Sequence, residues 1–459
     1  MPINPAAILA TLTFSSSVKT YWVAYSGGLD SHVLLHALVK QQLQLGNAHI
    51  AAVHINHGLS PNAAQWSAHC QQQCDALEIP LTLISVNARA QPGESPEAAA
   101  RHARYQAFRE ILQTNDCLLT AHHQDDQAET LLLQLLRGAG PKGLAAMPLW
   151  SIFGPTFGSA FGADVKSESA EGWQARPLLS CGRDELIAYA QQHQLQWIDD
   201  ESNFDIGFDR NFLRHDIMPT LKQRFPSAAA TISRSARLCA EAAALSAEVA
   251  SSDLQTVITE NGQLSVKCLQ QLQELRGRNV LHHWIHASAF ASPTAAQLQR
   301  IWEDVVNAAE DACPVVTWPG GEIRRYRDEL FLGAPLTKHD VTRCLEWRVP
   351  HALNIYALGT LTAQQQKGAG IACRKVEAKK VEVRFRQGGE QMRLCGREGT
   401  HALKKLFQES GVPPWQRERI PLIYIEGELA AVAGLWVACD FAAQDDEPGW
   451  RLEWQPTSQ

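Results

Sequence analysis

Nowhere in its 459 residues does the chain hold an apolar run of the ~18 residues that a membrane-spanning helix needs, so a helical membrane protein is not expected. The first residues, MPINPAAILATLTFSSSVK, lack a basic leader and carry only a short apolar segment; a secretory signal is therefore not expected and the cytoplasm is the default compartment. No two of the eleven cysteines are spaced as CxxC. The closest pair, Cys70 and Cys74, is CxxxC on a predicted helix, so neither a disulfide framework nor a zinc knuckle is expected. A surplus of positive charge is missing too. The formal net charge of −7 argues against indiscriminate nucleic-acid binding through phosphate neutralisation, while leaving room for a local basic surface.

Around the first glycine pair both common phosphate-binding signatures are absent, GxxxxGK[ST] and GxGxxG. What stands there is Tyr21 to Ser31, YWVAYSGGLDS, followed by HVLLHALVKQQ with apolar residues at helical spacing. This predicts a strand, a tight loop and a helix. Such a loop offers backbone N–H groups from a helix start, where the dipole also favours negative charge. Gly27 and Gly28 let the backbone approach phosphate oxygens, Ser26 and Ser31 add hydroxyls, and Asp30 offers a carboxylate to a hard cation such as Mg²⁺.

The chain exceeds the ~250 to 300 residues of a single core, so two or three domains are expected. Strand candidates at Ala48 to Ile55, Pro80 to Val86 and Asp116 to Ala121 alternate with helical stretches, which predicts an α/β fold with a doubly wound parallel sheet. In such sheets ligands bind beyond the carboxyl ends of the strands. His54 and His57 fall near one such end and are expected to shape the pocket. Ser95-Pro96-Glu97 starts a helix that sets Arg101 and Arg104 one turn apart, either on phosphates or simply solvated. Asp126 and Glu129, at i,i+3 in the first turn of another helix, suit Mg²⁺ or an incoming ammonium, with helix-dipole complementarity as the other reading.

Arg137 to Met147, RGAGPKGLAAM, is expected to be a flexible loop. Leu149 to Gln174, rich in Gly, Ser and Phe without periodicity, is expected to be a mobile insertion rather than a buried strand. The expected domains are 1–222, catalytic; 223–345, helical and mixed; and 346–459, small and α+β. Ser227 to Ser252 would be a helical connector, and Trp318, Arg324, Arg325, Tyr326 and Arg327 would lie on a hairpin that either meets nucleic acid or is solvated. His351 to Gly370 reads as a linker. From Arg374 to Lys405, ten lysines and arginines outnumber four glutamates, a local positive field that includes Lys404 and Lys405.

SGGLDS after a strand resembles the PP-loop of the N-type ATP pyrophosphatases. SGGLDS, NHGL, EAAAR, AHHQDDQAET, RGAGPKGL, ARPLL, DDESN and RNFLR, in this order, resemble the tRNA(Ile)-lysidine synthetase family over the first half of the chain. VEVRFRQGGEQM and the residues to GLWV resemble that family's C-terminal domain. The resemblance implies that ATP adenylates the wobble cytidine of an isoleucine tRNA with a CAU anticodon, and that free L-lysine then displaces AMP, shifting codon specificity from AUG to AUA. It implies that Ser26, Gly27, Gly28, Leu29, Asp30 and Ser31 hold ATP, with Asp30 on Mg²⁺. Asp126 and Glu129 would hold lysine or take its proton, Arg101 would stabilise charge on the adenylate, and Arg210, Arg214, Lys404 and Lys405 would hold tRNA. Which of Asp30, Asp126 and Glu129 serves metal, lysine or proton stays open, as does the oligomeric state, with a homodimer among the options. Two rivals are another PP-loop tRNA-modifying enzyme, such as a thiolase, for which a CxxC is missing, and a non-catalytic tRNA-binding protein, which the three acidic residues together argue against.

Overall fold

In the computed structural model the described residues are 3–12, 18–58, 62–87, 89, 95–153, 172–198, 207–288, 290–309 and 312–457. The DDESN segment therefore lies outside the described residues, as does Leu59 of NHGL. The chain divides into two compact units, 1–248 and 249–459.

Six strands carry the first unit: β1 (Thr20–Ala24), β2 (His49–Asn56), β3 (Leu81–Ser85), β4 (Asp116–Leu119), β5 (Trp150–Ile152) and β6 (Trp173–Ala175), in the order β3-β2-β1-β4-β6-β5. All neighbours pair in parallel except β5 with β6. Helices Leu29–Val39, Ala63–Ala76, Pro96–Ile111 and Gln124–Leu136 follow β1 to β4 in turn. The chain winds outward from β1 to β3 and then returns to β4 on the other side. The strand order thus reverses between β1 and β4, which opens a crevice at their carboxyl ends.

Both faces of the sheet are covered, as an α/β doubly wound fold requires. One face packs Val23, Leu34, Leu38 and Tyr189, the other Val53, Tyr105, Phe108 and Leu118. The helix Leu29–Val39 is buried nearly all round, which suits an apolar segment without a polar stripe. Ser95 caps the helix Pro96–Ile111 by accepting from the Ala98 N–H at 3.2 Å, as its sequence predicts.

Two expectations for the first unit are corrected. The ends of the supposed insertion are strands: Trp150 and Trp173 pack edge to face at 6.3 Å, and β5 and β6 pair across the gap, where 154–171 lie outside the described residues. Their three-residue length gives no readable periodicity. The RGAGPKGLAAM segment contains a short helix, Pro141–Leu144, and its end is clamped by Gln127, whose side chain bonds both N and O of Met147 at 3.0 and 2.8 Å.

In the second unit, one core gathers Val257, Leu281, Trp302, Ile323 and Leu330, and another gathers Ile355, Leu361, Val383, Phe407 and Ile423. Here three readings change. His351 to Gly370 is no linker, since Gly359–Lys367 pairs antiparallel with Pro448–Pro456 over nine residues. Its exposed glutamines and distant partner hid it. The 315–326 hairpin forms, but its cations are structural: Arg325 is buried and donates to the carbonyls of Val306 and Ala308, Arg324 pairs with Glu322, and Trp318 is buried. Finally, Cys395 and Cys439 are joined as a disulfide.

Candidate active site

β1 leads through Tyr25 to Gly28 into the helix Leu29–Val39. Gly27 has φ of +84°, and a Cβ there would stand 2.8 Å from Cys70 Sγ, so backbone and packing both select glycine. Gly28 caps the eleven-residue helix without a side-chain bond, which leaves its first-turn amides for an anion in the crevice. The two serines bond within the loop. Ser31 Oγ donates to the Gly28 carbonyl at 3.0 Å and accepts from Ser26 N at 3.2 Å. Its single proton is used, so Ser26 Oγ is the donor in their 3.1 Å bond. Both hydroxyls shape the loop in this state.

One oxygen of Asp30 lies 3.7 Å from His123 Nε2; the other is buried without a hydrogen-bond partner. Burial raises the Asp30 pKa, against the opposing pull of His123. An orphaned carboxylate oxygen beside an anion cradle fits a Mg²⁺ ligand. Among the described residues no three His, Cys, Asp or Glu side chains cluster for a metal, so a cation here would complete its shell with phosphates and water.

Beyond β4, His123 caps the helix Gln124–Leu136. Its ring Nδ1 accepts from Asp125 N at 3.2 Å, and its backbone N–H donates to Asp126 Oδ2 at 2.9 Å. In the neutral ring the proton is therefore on Nε2, which faces both Asp30 and Asp126, the latter at 3.5 Å. Asp126 and Glu129 meet two guanidinium groups. Arg210 donates to Asp126 Oδ1 at 2.8 Å and Glu129 Oε2 at 2.9 Å; Arg214 donates to Asp126 Oδ1 at 2.7 Å and Glu129 Oε1 at 2.8 Å. The arginines stand one turn apart on Asp209–Phe212 and the π-helical turn Leu213–Ile217. Burial alone would raise the Asp126 pKa, but His123 and Arg210 hold it well below the carboxylate range.

A cavity of about 350 Å³ connects these groups, lined by Ser26, Gly28, Leu29, Asp30, Ser31, Arg101, Arg104, Tyr105, His122, Asp126, Arg183 and Arg214, among others. The Arg101 guanidinium lies 5.0 Å from the centre of the Tyr105 ring. Burial pushes the His122 imidazole well below its ordinary pKa, so it is neutral, and its Nδ1 is 2.9 Å from Thr120 Oγ1.

Most of the residues singled out in the sequence thus meet in one place. Gly27 sits beneath the loop against Cys70, while Glu129, only 1 % exposed, and Arg210 lie behind Asp126. Arg210 and Arg214, expected on RNA, are committed to carboxylates instead. Lys404 and Lys405 are exposed on Leu403–Glu409 in the second unit. The surrounding positive field is weaker than its count, because Arg374 pairs with Glu447, Lys380 and Arg384 with Glu382, Arg386 with Glu390, and Arg397 with Glu409. Sequence reasoning missed Tyr105, His123 and Arg183 as parts of the site. His123 could have been found, since it directly precedes a first turn with two aspartates and takes the N-cap position.

Residues 6–221 match the family model described as a PP-loop domain, 264–331 the TilS substrate binding domain and 381–454 the TilS substrate C-terminal domain. The chain is 45% identical over 454 residues to the tRNA(Ile)-lysidine synthase of Coxiella burnetii, covering 99% of this chain and 97% of that one. To the enzyme of the same name from Methylococcus capsulatus it is 42% identical over 441 residues, covering 95% and 97%. Likeness of this degree over nearly the whole length of each protein, with the PP-loop match falling on the strand-order reversal, shows that the chain belongs to the tRNA(Ile)-lysidine synthase family.

Proposed function

We propose that this chain is an ATP-dependent ligase that forms lysidine on an isoleucine tRNA, with its chemistry in the β1/β4 crevice. The observation that carries this reading is the convergence of three features on one cavity: a helix start without a side-chain cap, an orphaned Asp30 oxygen, and the Asp126–Arg214 pair. The reaction needs triphosphate held, cytosine O2 brought to the α-phosphate, pyrophosphate released, and a lysine ε-amine set against the activated carbon.

The first-turn amides of Leu29–Val39 hold phosphate oxygens, and Asp30 is the residue that would hold Mg²⁺, which would supply positive charge against the phosphates. Arg101 and Arg104, at the cavity wall, oppose the negative charge of the adenylate.

Lysine poses a further problem. An amine of pKa ~10.4 is almost wholly ammonium at neutral pH, and a bare pair of carboxylates would bind it while making it still harder to deprotonate. Asp126 and Glu129 are not bare. Two guanidiniums balance their two negative charges, so Asp126 can orient the amine from the cavity wall without a surplus negative field. Glu129 holds Arg210 and Arg214 in place behind it. Lys404 and Lys405 belong to the surface that meets tRNA, whose phosphates attract exposed cations.

ATP–pyrophosphate exchange with and without an isoleucine tRNA transcript, followed by incorporation of labelled lysine, tests the whole reading. Exchange and incorporation that both depend on the tRNA support it. tRNA binding without exchange would instead identify a non-catalytic RNA-binding protein.

A further inference from the structure

In the second unit the short strands Gln391–Met392 and His401–Ala402 pair antiparallel and are joined by residues 393–400. Cys395 lies in this connection, and Cys439 follows the strand Trp436–Val437. Backbone bonds hold the two together: Leu394 and Ala438 form an antiparallel bridge, and Cys439 N donates to the Arg393 carbonyl at 2.8 Å. Their Cα atoms are 4.7 Å apart, within the range a disulfide spans. Cys395 is exposed and Cys439 half-buried, so small reagents reach the pair.

We propose that Cys395 and Cys439 are a reversible thiol–disulfide exchange site for low-molecular-weight disulfides, and that its closed form stiffens a tRNA-binding arm. The arm is the connection 393–400 with the following helix Leu403–Glu409, which carries Lys404 and Lys405; this part rests on the tRNA surface proposed above. A cysteine thiolate attacks one sulfur of the small disulfide and releases one small thiolate. The second cysteine attacks the mixed disulfide and releases the other. Two protein thiols lose two electrons, the small disulfide gains them, and the two thiol protons pass to the departing thiolates.

Because the main chains already lie in register, the exchange needs no refolding. It joins residues 44 apart in sequence, so closure restricts the segment between them, while the open form leaves the connection held mainly by two short strands. Cys313 and Cys344 are exposed and single, and serve as internal controls.

Full-length protein equilibrated in buffers of varied glutathione to glutathione-disulfide ratio, then trapped by alkylation and read by mass spectrometry, tests the chemistry. Cys395 and Cys439 should lose alkylation together, as a protein disulfide without bound glutathione, and regain it together with dithiothreitol, while Cys313 and Cys344 are either alkylated or singly capped by glutathione and never paired. Independent alkylation of the pair in every buffer overturns the proposal. Affinity for an isoleucine tRNA transcript should fall about three- to tenfold on reduction, and Cys395→Ser and Cys439→Ser should match the reduced protein in every buffer. Lys404→Glu/Lys405→Glu separates the two ideas: unchanged affinity in that variant removes the tRNA surface, whereas weakened affinity in it with no redox effect in the native protein removes the stiffening role.

Discussion

Arg214 grips Glu129 as a fork, Nε to Oε1 at 2.8 Å and Nη2 to Oε2 at 2.9 Å. Two parallel charge-assisted bonds of this kind fix both distance and plane, which a lysine could not do. Glu129 is almost fully buried, so the pair is screened little by water.

Breaking this pair from one side should therefore cost more than removing both partners. Glu129→Gln and Arg214→Gln are each expected to destabilise the first unit by about 3 to 5 kcal/mol, since each leaves a buried charge short of its partner. The double variant should be milder than the sum by at least ~1 kcal/mol. Urea unfolding of all four proteins measures this, and strict additivity would mean that the fork carries no coupling.

The two glycines of the nucleotide loop should separate folding from binding. Gly27→Ala places a methyl group in a left-handed backbone and against Cys70, so it should lower stability by more than ~1 kcal/mol and weaken ATP binding with it. Adding Cys70→Ala should recover the steric part only. At Gly28, φ is −78° and a Cβ would be 3.4 Å from Ser26 Oγ, so Gly28→Ala should fold normally and lose affinity only for ATP. Thermal melts with and without ATP distinguish the outcomes, and a strongly destabilised Gly28→Ala would contradict the description of the loop.

Asp30→Asn should leave stability unchanged or slightly higher, because it removes a half-buried negative charge whose Oδ1 is buried without a partner. Pyrophosphate exchange should drop at least ~100-fold if that carboxylate holds Mg²⁺ and opposes the phosphates through it. Exchange at the native rate, across a magnesium titration, would remove Asp30 from the metal.

The nucleotide side of the site was legible because it is local. A strand, two glycines and an apolar helix follow each other within the twenty residues from Thr20 to Val39, and each step has its own spacing. The acidic pair was legible as a pair, but its partners were not: Arg210 and Arg214 are more than eighty residues from Asp126 and Glu129, and nothing local says which surface a guanidinium will choose. The same limit hid the Gly359–Lys367 ladder and the Cys395–Cys439 pairing, both made with segments far along the chain.

Acid should weaken the first unit through His36. It packs against His193 and Tyr189 and lies near Lys40 and His32; burial, followed by the neighbouring cations, lowers its pKa to about 4. The unfolded chain takes up the proton near pH 6.5, before the folded one does. Stability is thus complete above about 6.5 and is lost as pH falls toward 4, by at most ~3 kcal/mol at 1.36 per unit. His36→Gln, whose amide can still hydrogen-bond the Tyr189 hydroxyl, should lose less over that window in melts at fixed ionic strength. Equal acid losses in both proteins would assign the effect elsewhere.

Separating the units should separate ATP from tRNA. A cut at Arg374 would strip Pro448–Pro456 from Gly359–Lys367 and leave a nine-residue strand edge unpaired, a liability for aggregation. A cut after Glu248 keeps the sheet and the cores around Leu34, Phe108, Ala128 and Leu131 whole. The 1–248 fragment is therefore expected to fold and to bind ATP nearly as the full chain does. Each phosphate contact contributes ~0.9 to the slope of log K against log salt on duplex nucleic acid, so losing several cations should flatten that slope by two or more. Filter binding of an isoleucine tRNA transcript across a salt series reads both affinity and slope. A fragment that keeps the full slope would place the tRNA-binding cations on the first unit, where Arg101 and Arg104 at the cavity wall are the nearest candidates to the chemistry.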